Sequence, residues 1–408
     1  MLISNLNETL VMVLAIGDGR GLMPLTSRRT TAALPYAGNY RVIDFALTNC
    51  MHSGLRRINV FTQFNSLSLQ NHLRDGWSIF NTDLGEFVTA VSPPINERIA
   101  MYAGACHALY ENLYLIDGAP EDHVLVVSGE QIYRMDYAAI LEFHAERGAD
   151  VTIAAIDRDT ANGAGFTSRF ALSGDEISDI RDEQDMDEVA AGTEYFGPME
   201  VYCFARHRLI DMLVAAGAEG CRDKTVLEVI RERLFGRARL LGYRFGGKYG
   251  RVSQDRYWRT LSSLDDYYEA NMDLLHLEPP LDLYQADWPI RTYQAQRPPA
   301  RTVPGRSCNE GICVNSIVSA GTVIAGGGVS RSVLGSRVYI DDSATVEDAI
   351  LYSGVVVGEG ARVQRCILDR GVSVPPYEEI GMDPQRDAER FAVTPGGVVV
   401  VPSTYRFQ

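Results

Sequence analysis

The sequence predicts an α/β protein, with an open, mostly parallel sheet of the Rossmann-like kind followed by a parallel β-helix. Strand and helix patterns alternate along the first part of the chain, a proline-rich stretch follows, and apolar residues then recur every six positions. A chain of 408 residues is too long for one ordinary core. We therefore predict a first domain over residues 1–278, a linker over 279–311 and a second domain over 312–408.

The first domain alternates short apolar runs with amphipathic segments. VMVLAIG, which starts at residue 11, is an apolar run that ends in glycine, as buried parallel strands do. The other predicted strands are RINVFTQF, HVLVVSGEQIY and DVTIAAI, and the predicted helices are RVIDFALTNCMHSG, SLSLQNHLRDGW and DYAAILEFHAERGA. Ligands of such sheets bind beyond the carboxyl ends of the strands. The segments expected to carry chemistry are therefore IGDGRG, TQFNS and SGEQIY.

The last third of the chain repeats every six residues, with glycines and small polar residues in the gaps. The repeating positions are Ile317, Val323, Val329, Leu334, Ile340, Val346, Leu351, Val357 and Val363. This spacing is typical of a parallel β-helix, and a β-sandwich is the alternative. The last of the seven histidines is His276, so the repeats contain no imidazole base for acyl transfer. We interpret the coil as structural or as an oligomerisation surface.

Composition excludes several classes of protein. The net charge of −15 argues against broad nucleic-acid binding, and no apolar run approaches the roughly 20 residues that cross a bilayer. The N-terminus lacks a secretory pattern, and the seven cysteines form no CxxC pair, so we expect a cytoplasmic protein. Only two residues are lysine, Lys224 and Lys248, so no lysine serves the N-terminal loops.

Several longer motifs occur together in one order. They are IDFALTNC at 43–50, YWRTLSSLDDYYEANMDL, LYQADWPIRTY with RPPAR, and the hexapeptide coil. This series resembles the ADP-glucose pyrophosphorylase family, the glucose-1-phosphate adenylyltransferases of glycogen and starch synthesis. The resemblance implies a nucleotidyltransferase domain followed by a left-handed β-helix of hexapeptide repeats. It also implies the family reaction, in which glucose 1-phosphate attacks the α-phosphorus of ATP.

The nucleotide loop departs from the family pattern. Members with activity carry a loop like GGRGTRL, and this chain has IGDGRGL at 16–22. Gly17 and Gly19 are retained, and Arg20 lies one residue from an expected arginine. The departures are Ile16 in place of glycine, Asp18 and Gly21 in place of arginines, and Thr31 in place of the lysine of a KRAKP pattern.

The metal and sugar-phosphate positions depart as well. Glu130 in SGEQIY replaces the aspartate of AGDHIY, and Thr260 in YWRTLSS replaces the aspartate of YWRDVGT. Glu183 falls on the lysine of an FVEKP pattern and Glu200 on the glycine of SMGIYVF, whereas Gly104 of YAGACHA is retained. Because these positions serve one triphosphate–metal–sugar complex, the resemblance implies that no intact catalytic set remains.

Other positions match residues that bind ligands in the family. Gln63 of TQFNS matches a position that reads adenine, so the resemblance implies a weak or vestigial nucleotide site with Gly17, Gly19, Arg20 and Gly104. Five arginines match positions that bind phosphorylated effectors: Arg28, Arg29, Arg41, Arg337 and Arg370. Arginine forms bidentate pairs with phosphate, and the alternative is that these are surface or interface arginines.

The leading hypothesis is a catalytically silent, regulatory paralogue. It would join an active subunit in a homo- or hetero-tetramer, answer to a phosphorylated small-molecule effector and need no cofactor. One alternative is an active adenylyltransferase with a rebuilt site, in which Arg20 and Glu130 take over charge and Mg²⁺ binding. The other is a free-standing sensor of sugar phosphates or nucleotides.

Overall fold

The chain folds into two compact units. The computed structural model describes residues 9–94, 101–157, 165–188, 193–246 and 256–407, without the side chains of 187 and 188. The sheet unit comprises Met1–Asp18, Ile43–Thr260 and Ala286–Ile290, and the coil unit comprises Gly19–Val42, Leu261–Gln285 and Arg291–Gln408. The predicted linker over 279–311 thus contributes residues to both units.

The sheet unit is built on one nine-stranded sheet. In spatial order its strands are Phe87–Val91, Arg57–Thr62, Thr9–Ala15, His123–Ser128, Tyr195–Ala205, Val151–Ile156, Leu240–Arg244, Glu176–Asp182 and Ser168–Ser173. Tyr195–Ala205 and Glu176–Asp182 run against the other seven strands. The sheet is therefore mostly parallel, as predicted. The strand Thr9–Ala15 is buried along its whole length because it pairs on both sides.

Over the residues that the structure describes, the sheet unit contains the three helices that the sequence predicts and four that it does not. They span Ile43–His52, Leu67–Trp77, Ala105–Glu111, Leu113–Asp117, Tyr137–Glu146, Arg206–Cys221 and Val226–Arg233, with short 3-10 turns at Thr82–Leu84 and Glu183–Glu188. Helix Arg206–Cys221 is interrupted at Gly217, whose φ is 67°. Asp136 caps Tyr137–Glu146 by accepting from the Ala138 N–H, which satisfies a donor left over at the helix start.

One predicted strand divides into two. His123–Ser128 belongs to the large sheet, whereas Gln131–Tyr133 pairs with Trp258–Thr260 in a separate two-stranded sheet. The chain leaves the large sheet at Gly129 and Glu130. The prediction of one continuous strand over HVLVVSGEQIY was therefore wrong, and the break places Glu130 at the carboxyl edge of the large sheet.

The coil unit is a left-handed parallel β-helix with three faces. The first face has strands Arg301–Val303, Val323–Ala325, Tyr339–Ile340, Val356–Val357 and Ser373–Val374. The second has Ile312–Val314, Gly328–Ser330, Thr345–Glu347, Arg362–Gln364 and Glu379–Ile380. The third has Ile317–Val318, Val333–Leu334, Ile350–Leu351, Cys366–Leu368, Val399–Val401 and, antiparallel at its end, Ala392–Val393. Arg301–Val303 lies inside the range predicted as a linker.

Aligned apolar side chains fill the coil. Each face stacks one inward column, and the columns are Ile324, Ile340, Val357 and Val374; Val329, Val346, Val363 and Ile380; and Leu334, Leu351 and Leu368. The sixfold prediction was correct from Val329 onward and wrong by one residue before it. Ile317 and Val323 are half-buried, and Val318 and Ile324 take the positions that pair with Leu334 and Ile340. The reason is that the spacing from Ile324 to Val329 is one residue short.

Further elements of the coil unit lie outside the coil. They are the helices Leu264–Met272 and Pro384–Arg390, the 3-10 turns Arg20–Leu22, Thr31–Ala33 and Asp273–Leu275, and the hairpin Pro35–Tyr36 with Tyr40–Arg41. A capping box formed by Ser263 and Asp266 starts the first helix. Across the described ranges, no helix is both long enough and apolar enough to span a membrane.

Candidate functional site

The first strand of the large sheet ends in the glycine loop. Strand Thr9–Ala15 is followed by Ile16 and Gly17, at the edge where ligands of open α/β sheets bind. The Ile16 side chain packs against the core of the sheet unit. At the carboxyl edge of the sheet, the loop therefore presents its main chain and not the Ile16 side chain.

The Glu130 carboxyl group lies against the glycine loop at Gly17. Its Oε1 accepts a hydrogen bond from the Gly17 N–H at 2.9 Å, and a Cβ at position 17 would collide with the carboxyl group. Backbone N–H groups of glycine loops are the donors that bind phosphate oxygens in nucleotide sites. The chain thus supplies its own anion to the donor that a phosphate would use. Glutamate is one methylene longer than the aspartate of the family pattern, which gives it this reach.

The surroundings of Glu130 favour its protonated form. Burial raises the pKa of its carboxyl group from 4.5 to about 7, and the negative charge of Asp18 adds to the rise. The Gly17 N–H opposes the shift by stabilising the carboxylate. Near neutral pH this group therefore carries a negative charge in only part of the molecules.

This shift predicts a pH-dependent cost to stability. Between pH 4.5 and 7 the folded protein holds a proton that the unfolded chain has released, so Glu130 makes folding less favourable as the pH rises through that window. Glu130→Gln should remove this cost. Relative to the unaltered protein, the variant should gain about 1 kcal/mol at pH 8, less than the full pKa difference allows because the protein relaxes.

Thermal midpoints measured for both proteins from pH 4 to pH 8 check this prediction. The gap should be a few degrees at pH 8 and should close near pH 4, where both states are protonated. A gap that stays constant with pH would contradict a raised pKa at Glu130.

The residues at the expected metal position do not fit magnesium. Thr260 pairs with Gln131 across the two-stranded sheet, next to Glu130, and offers a neutral hydroxyl in place of the second carboxylate. Glu130 supplies the carboxylate of the first position, and its proton competes with a metal ion. Magnesium demands near-ideal octahedral oxygen ligation, and it usually keeps several waters beside one or two ionised carboxylates and the substrate phosphates. Across the residues that the structure describes, no group of three or more His, Cys, Asp and Glu side chains is arranged to hold a metal ion.

Glu183, at the position of the sugar-phosphate lysine, is held by an arginine. Arg169 donates from Nε and Nη2 to the two carboxylate oxygens, at 2.5 and 3.1 Å. Arg169 also lies over the Phe166 ring, which stacks on Trp258 at a centroid distance of 5.8 Å. The pair is bidentate, and it neutralises the charge that the sequence places at this position. Sequence reasoning missed Arg169, because no motif marks it.

Glu200 adopts a backbone conformation that favours glycine. Its φ is 56°, in the left-handed region that glycine adopts without strain. Burial raises the pKa of its carboxyl group to about 7. The Tyr202 hydroxyl donates a hydrogen bond to the carboxylate, which lowers the pKa and offsets part of that rise. Position 200 of this chain thus carries a titratable carboxyl group on a strained backbone, whereas the family pattern has glycine there.

Gln63 joins two loops with its amide. Its Nε2 donates to the Ile16 carbonyl, and its Oε1 accepts from the Tyr102 N–H at 3.0 Å. Both ends of the amide are therefore engaged with main chain. Gly104 begins helix Ala105–Glu111 with a φ of 117°, which favours glycine at that position.

The second half of the glycine loop belongs to the coil unit. Gly19 has a φ of 63°, and its carbonyl accepts from the Thr26 hydroxyl at 2.7 Å. Arg20 is exposed at the start of a 3-10 turn, and Thr31 is buried in another. At Gly21, which replaces an arginine of the pattern, any Cβ would collide with the carbonyl oxygen of Ser262. This loop is thus built for glycine at position 21.

All five of the predicted effector arginines lie in the coil unit. Arg29 pairs with Asp369 at 2.9 Å and lies over the Tyr352 ring at 5.6 Å. Arg41 and Arg29 both lower the pKa of the Tyr267 hydroxyl, which burial raises more strongly. The Arg29 guanidinium is therefore already matched by a carboxylate.

Positive charge is concentrated around Arg297 in the coil unit. Arg337 and Arg370 lie near Arg297, and together with burial their charges lower the pKa of the Arg297 guanidinium. Arg337 and Arg370 are exposed, as is Arg28. Sequence reasoning missed Arg297, although it begins the RPPAR motif. The three guanidinium groups are therefore close enough for their positive charges to repel one another.

The fold and this site define a sugar nucleotidyltransferase architecture. The model of the family described as "Nucleotidyl transferase" matches residues 10–276, and the one described as "GlmU-like, C-terminal hexapeptide" matches residues 298–401. The chain is 43% identical to a Vibrio cholerae protein named glucose-1-phosphate adenylyltransferase 2, over 98% of this chain and 99% of that one.

Two more relatives carry the corresponding name. A glucose-1-phosphate adenylyltransferase of Thiobacillus denitrificans is 36% identical over 97% of this chain and 90% of its own length. The glucose-1-phosphate adenylyltransferase of Rhodospirillum rubrum is 35% identical over 97% of this chain and 95% of its own length. The chain belongs to the glucose-1-phosphate adenylyltransferase, or ADP-glucose pyrophosphorylase, family.

Proposed function

We propose that this chain is a member of the family without useful adenylyltransferase turnover of its own, and that it regulates an active subunit in response to a phosphorylated effector. One observation carries the proposal: the Glu130 carboxylate is bonded to the Gly17 N–H of the nucleotide loop. A triphosphate would have to displace that carboxyl group and would then lie beside a group that is negatively charged in part of the molecules near neutral pH and in most of them at pH 8. Loss of one preorganised charge typically lowers the rate by 10²–10³.

The other altered positions act in the same direction. Thr260 adds no charge beside Glu130, and Glu183 forms its ion pair with Arg169 where the family pattern has a free lysine. These residues would neither hold a metal ion nor offset the charge of glucose 1-phosphate. Effects on one transition state are not additive, yet each of them removes support from the same polyanionic complex.

The regulatory half of the proposal rests on the coil unit. Arg297, Arg337 and Arg370 supply a cluster of positive charge outside the sheet unit, suited to a phosphorylated small molecule. A chain that retains an anion site while its reaction site is blocked fits a subunit that transmits an effector signal. We propose assembly into a tetramer with an active subunit, in the cytoplasm.

A second candidate is favoured by the names of the relatives. Relatives that match over nearly the whole chain are named glucose-1-phosphate adenylyltransferases. In that case the chain would make ADP-glucose and pyrophosphate from ATP and glucose 1-phosphate, with a rebuilt site.

Co-expression with an active family member separates the two candidates. ADP-glucose formation and the half-saturating concentration of a phosphorylated activator are measured for the active subunit alone and for the co-purified assembly. We expect co-purification and a several-fold shift in half-saturation, which Arg337→Gln in this chain should abolish. Arg362→Gln, which removes an exposed arginine paired with Glu379, is the matched control and should leave the shift intact. An assembly that gains turnover from this chain would favour the second candidate.

A further inference from the structure

Two buried cysteines lie in contact in the sheet unit. Cys106 is in the first turn of helix Ala105–Glu111, and Cys221 is the last residue of helix Arg206–Cys221. Their sulfur atoms are 3.2 Å apart, although 115 positions separate them in the sequence. Both are free thiols and fully buried. A disulfide bond has an S–S length of about 2.0 Å, so a small rotation of the two side chains would bring the sulfurs to bonding distance.

The environment of the pair lowers the pKa of the Cys221 thiol. The Cys106 S–H donates to the Cys221 sulfur and lowers the pKa of Cys221, against the effect of burial. The positive charges of Arg233 and Lys224 lower it further, while Glu111 opposes them. The thiolate is the nucleophilic form of cysteine, so Cys221 is the better nucleophile of the two.

The pair is linked to the glycine loop through main-chain contacts. Two residues after Cys221, the Asp223 N–H donates to the Ala103 carbonyl at 2.6 Å. The neighbouring Tyr102 N–H donates to Gln63, whose amide donates in turn to Ile16. A bond between the two sulfurs would therefore tie the loop 102–104 to the segment 221–224 from both sides.

We propose that Cys106 and Cys221 form a redox-sensitive dithiol, which a peroxide converts to an intramolecular disulfide that immobilises the loop 102–104 beside the nucleotide site. A peroxide suits this pair because it is small and uncharged and both sulfurs are buried. The disulfide would be reversible, as regulatory disulfides in reducing compartments are.

The disulfide would form in two steps. The Cys221 thiolate attacks one oxygen of hydrogen peroxide, the O–O bond breaks, and hydroxide leaves while a sulfenic acid forms. The Cys106 sulfur then attacks the Cys221 sulfur, the S–O bond breaks, and the hydroxyl group leaves with the Cys106 proton as water. In sum, two thiols lose two electrons, and hydrogen peroxide becomes two molecules of water.

Peptide mapping of the whole, folded protein tests the proposal. The protein is treated with hydrogen peroxide or with dithiothreitol, remaining thiols are alkylated, and the digest is analysed by mass spectrometry. We expect a peptide that joins Cys106 to Cys221, lighter by two hydrogen atoms than its parts and absent after reduction. Cys106→Ala should abolish it. Cys203→Ala is the control and should retain it, since Cys203 is a buried thiol whose pKa is raised by burial.

Hydrogen exchange tests the effect on the loop. Amides over residues 101–108 should exchange several-fold more slowly in the oxidised protein than in the reduced protein, and Cys106→Ala should show no difference between the two conditions. Absence of the joined peptide from the folded, unaltered protein would overturn the proposal, whether or not the variant folds. A joined peptide with unchanged exchange would overturn the link to the loop. Neither readout requires nucleotide binding or turnover, so failure here is distinct from failure of the proposed function.

Discussion

The double variant Glu130→Asp with Thr260→Asp should bind Mn²⁺ at least about 100-fold more tightly than the unaltered chain. The shorter aspartate side chain at position 130 would withdraw from the Gly17 N–H, and a second carboxylate would stand on the paired strand, opposite Gln131. Two carboxylates are the usual protein contribution to a site for a hard divalent cation. Mn²⁺ is the probe because its paramagnetic signal reports free and bound ion directly.

The matched control for this variant is Glu130→Asp with Thr260→Asn. Asparagine has the shape of aspartate without its charge, so this control should bind the ion little better than the unaltered protein. Equal Mn²⁺ affinity in the two double variants would contradict the conclusion that charge at position 260 is what the site lacks. Thermal midpoints of both variants establish that each is folded.

Glu183→Lys should raise the affinity for glucose 1-phosphate by about tenfold or more. The change removes a negative charge, releases the Arg169 guanidinium from its bidentate pair and adds a cation in the same place. Because the Glu183 side chain is 45% exposed, solvent screens part of the electrostatic gain in affinity. Isothermal titration with glucose 1-phosphate measures the effect.

Glu176→Lys is the control for the charge change alone. Glu176 begins the strand Glu176–Asp182, which immediately precedes Glu183; it is exposed and forms a long ion pair with Arg239 at 3.7 Å. Its replacement alters the net charge by the same amount away from the predicted phosphate position. If both lysine variants gain the same affinity, the gain reflects net charge and the assignment of Glu183 to the sugar-phosphate position fails.

Much of the fold could be predicted from the sequence because its patterns are regular. Apolar runs ending at glycine or at polar residues indicated the strands Thr9–Ala15, Arg57–Thr62 and Val151–Ile156, and the sixfold repeat indicated the coil. The break at Gly129 could not be predicted, because periodicity does not distinguish one strand from two that join different sheets. The one-residue shift before Val329 was missed for a related reason: a shortened spacing moves the inward column without removing the repeat.

The site could be predicted only as far as residue types go. The sequence indicated Glu130 as a longer carboxylate, but its bond to Gly17 depends on where the strand breaks. Gly21 was interpreted as a lost arginine, and its close approach to Ser262 is a contact between distant segments that no local pattern marks. The pairing of Cys106 with Cys221 is of the same kind. Arg169 was missed because no motif marks it, and Arg297 was missed because the RPPAR motif does not show that its first arginine lies near Arg337 and Arg370.

A single-turnover assay shows whether this chain has enough charge support for adenylyl transfer. Purified protein in excess over radiolabelled glucose 1-phosphate is mixed with ATP and Mg²⁺ at pH 8, with the same amount of an active family member as the reference. We expect no labelled ADP-glucose from this chain on the timescale in which the reference converts all of its substrate. Stoichiometric ADP-glucose from the unaltered chain would contradict the proposal that the chain has no useful turnover of its own.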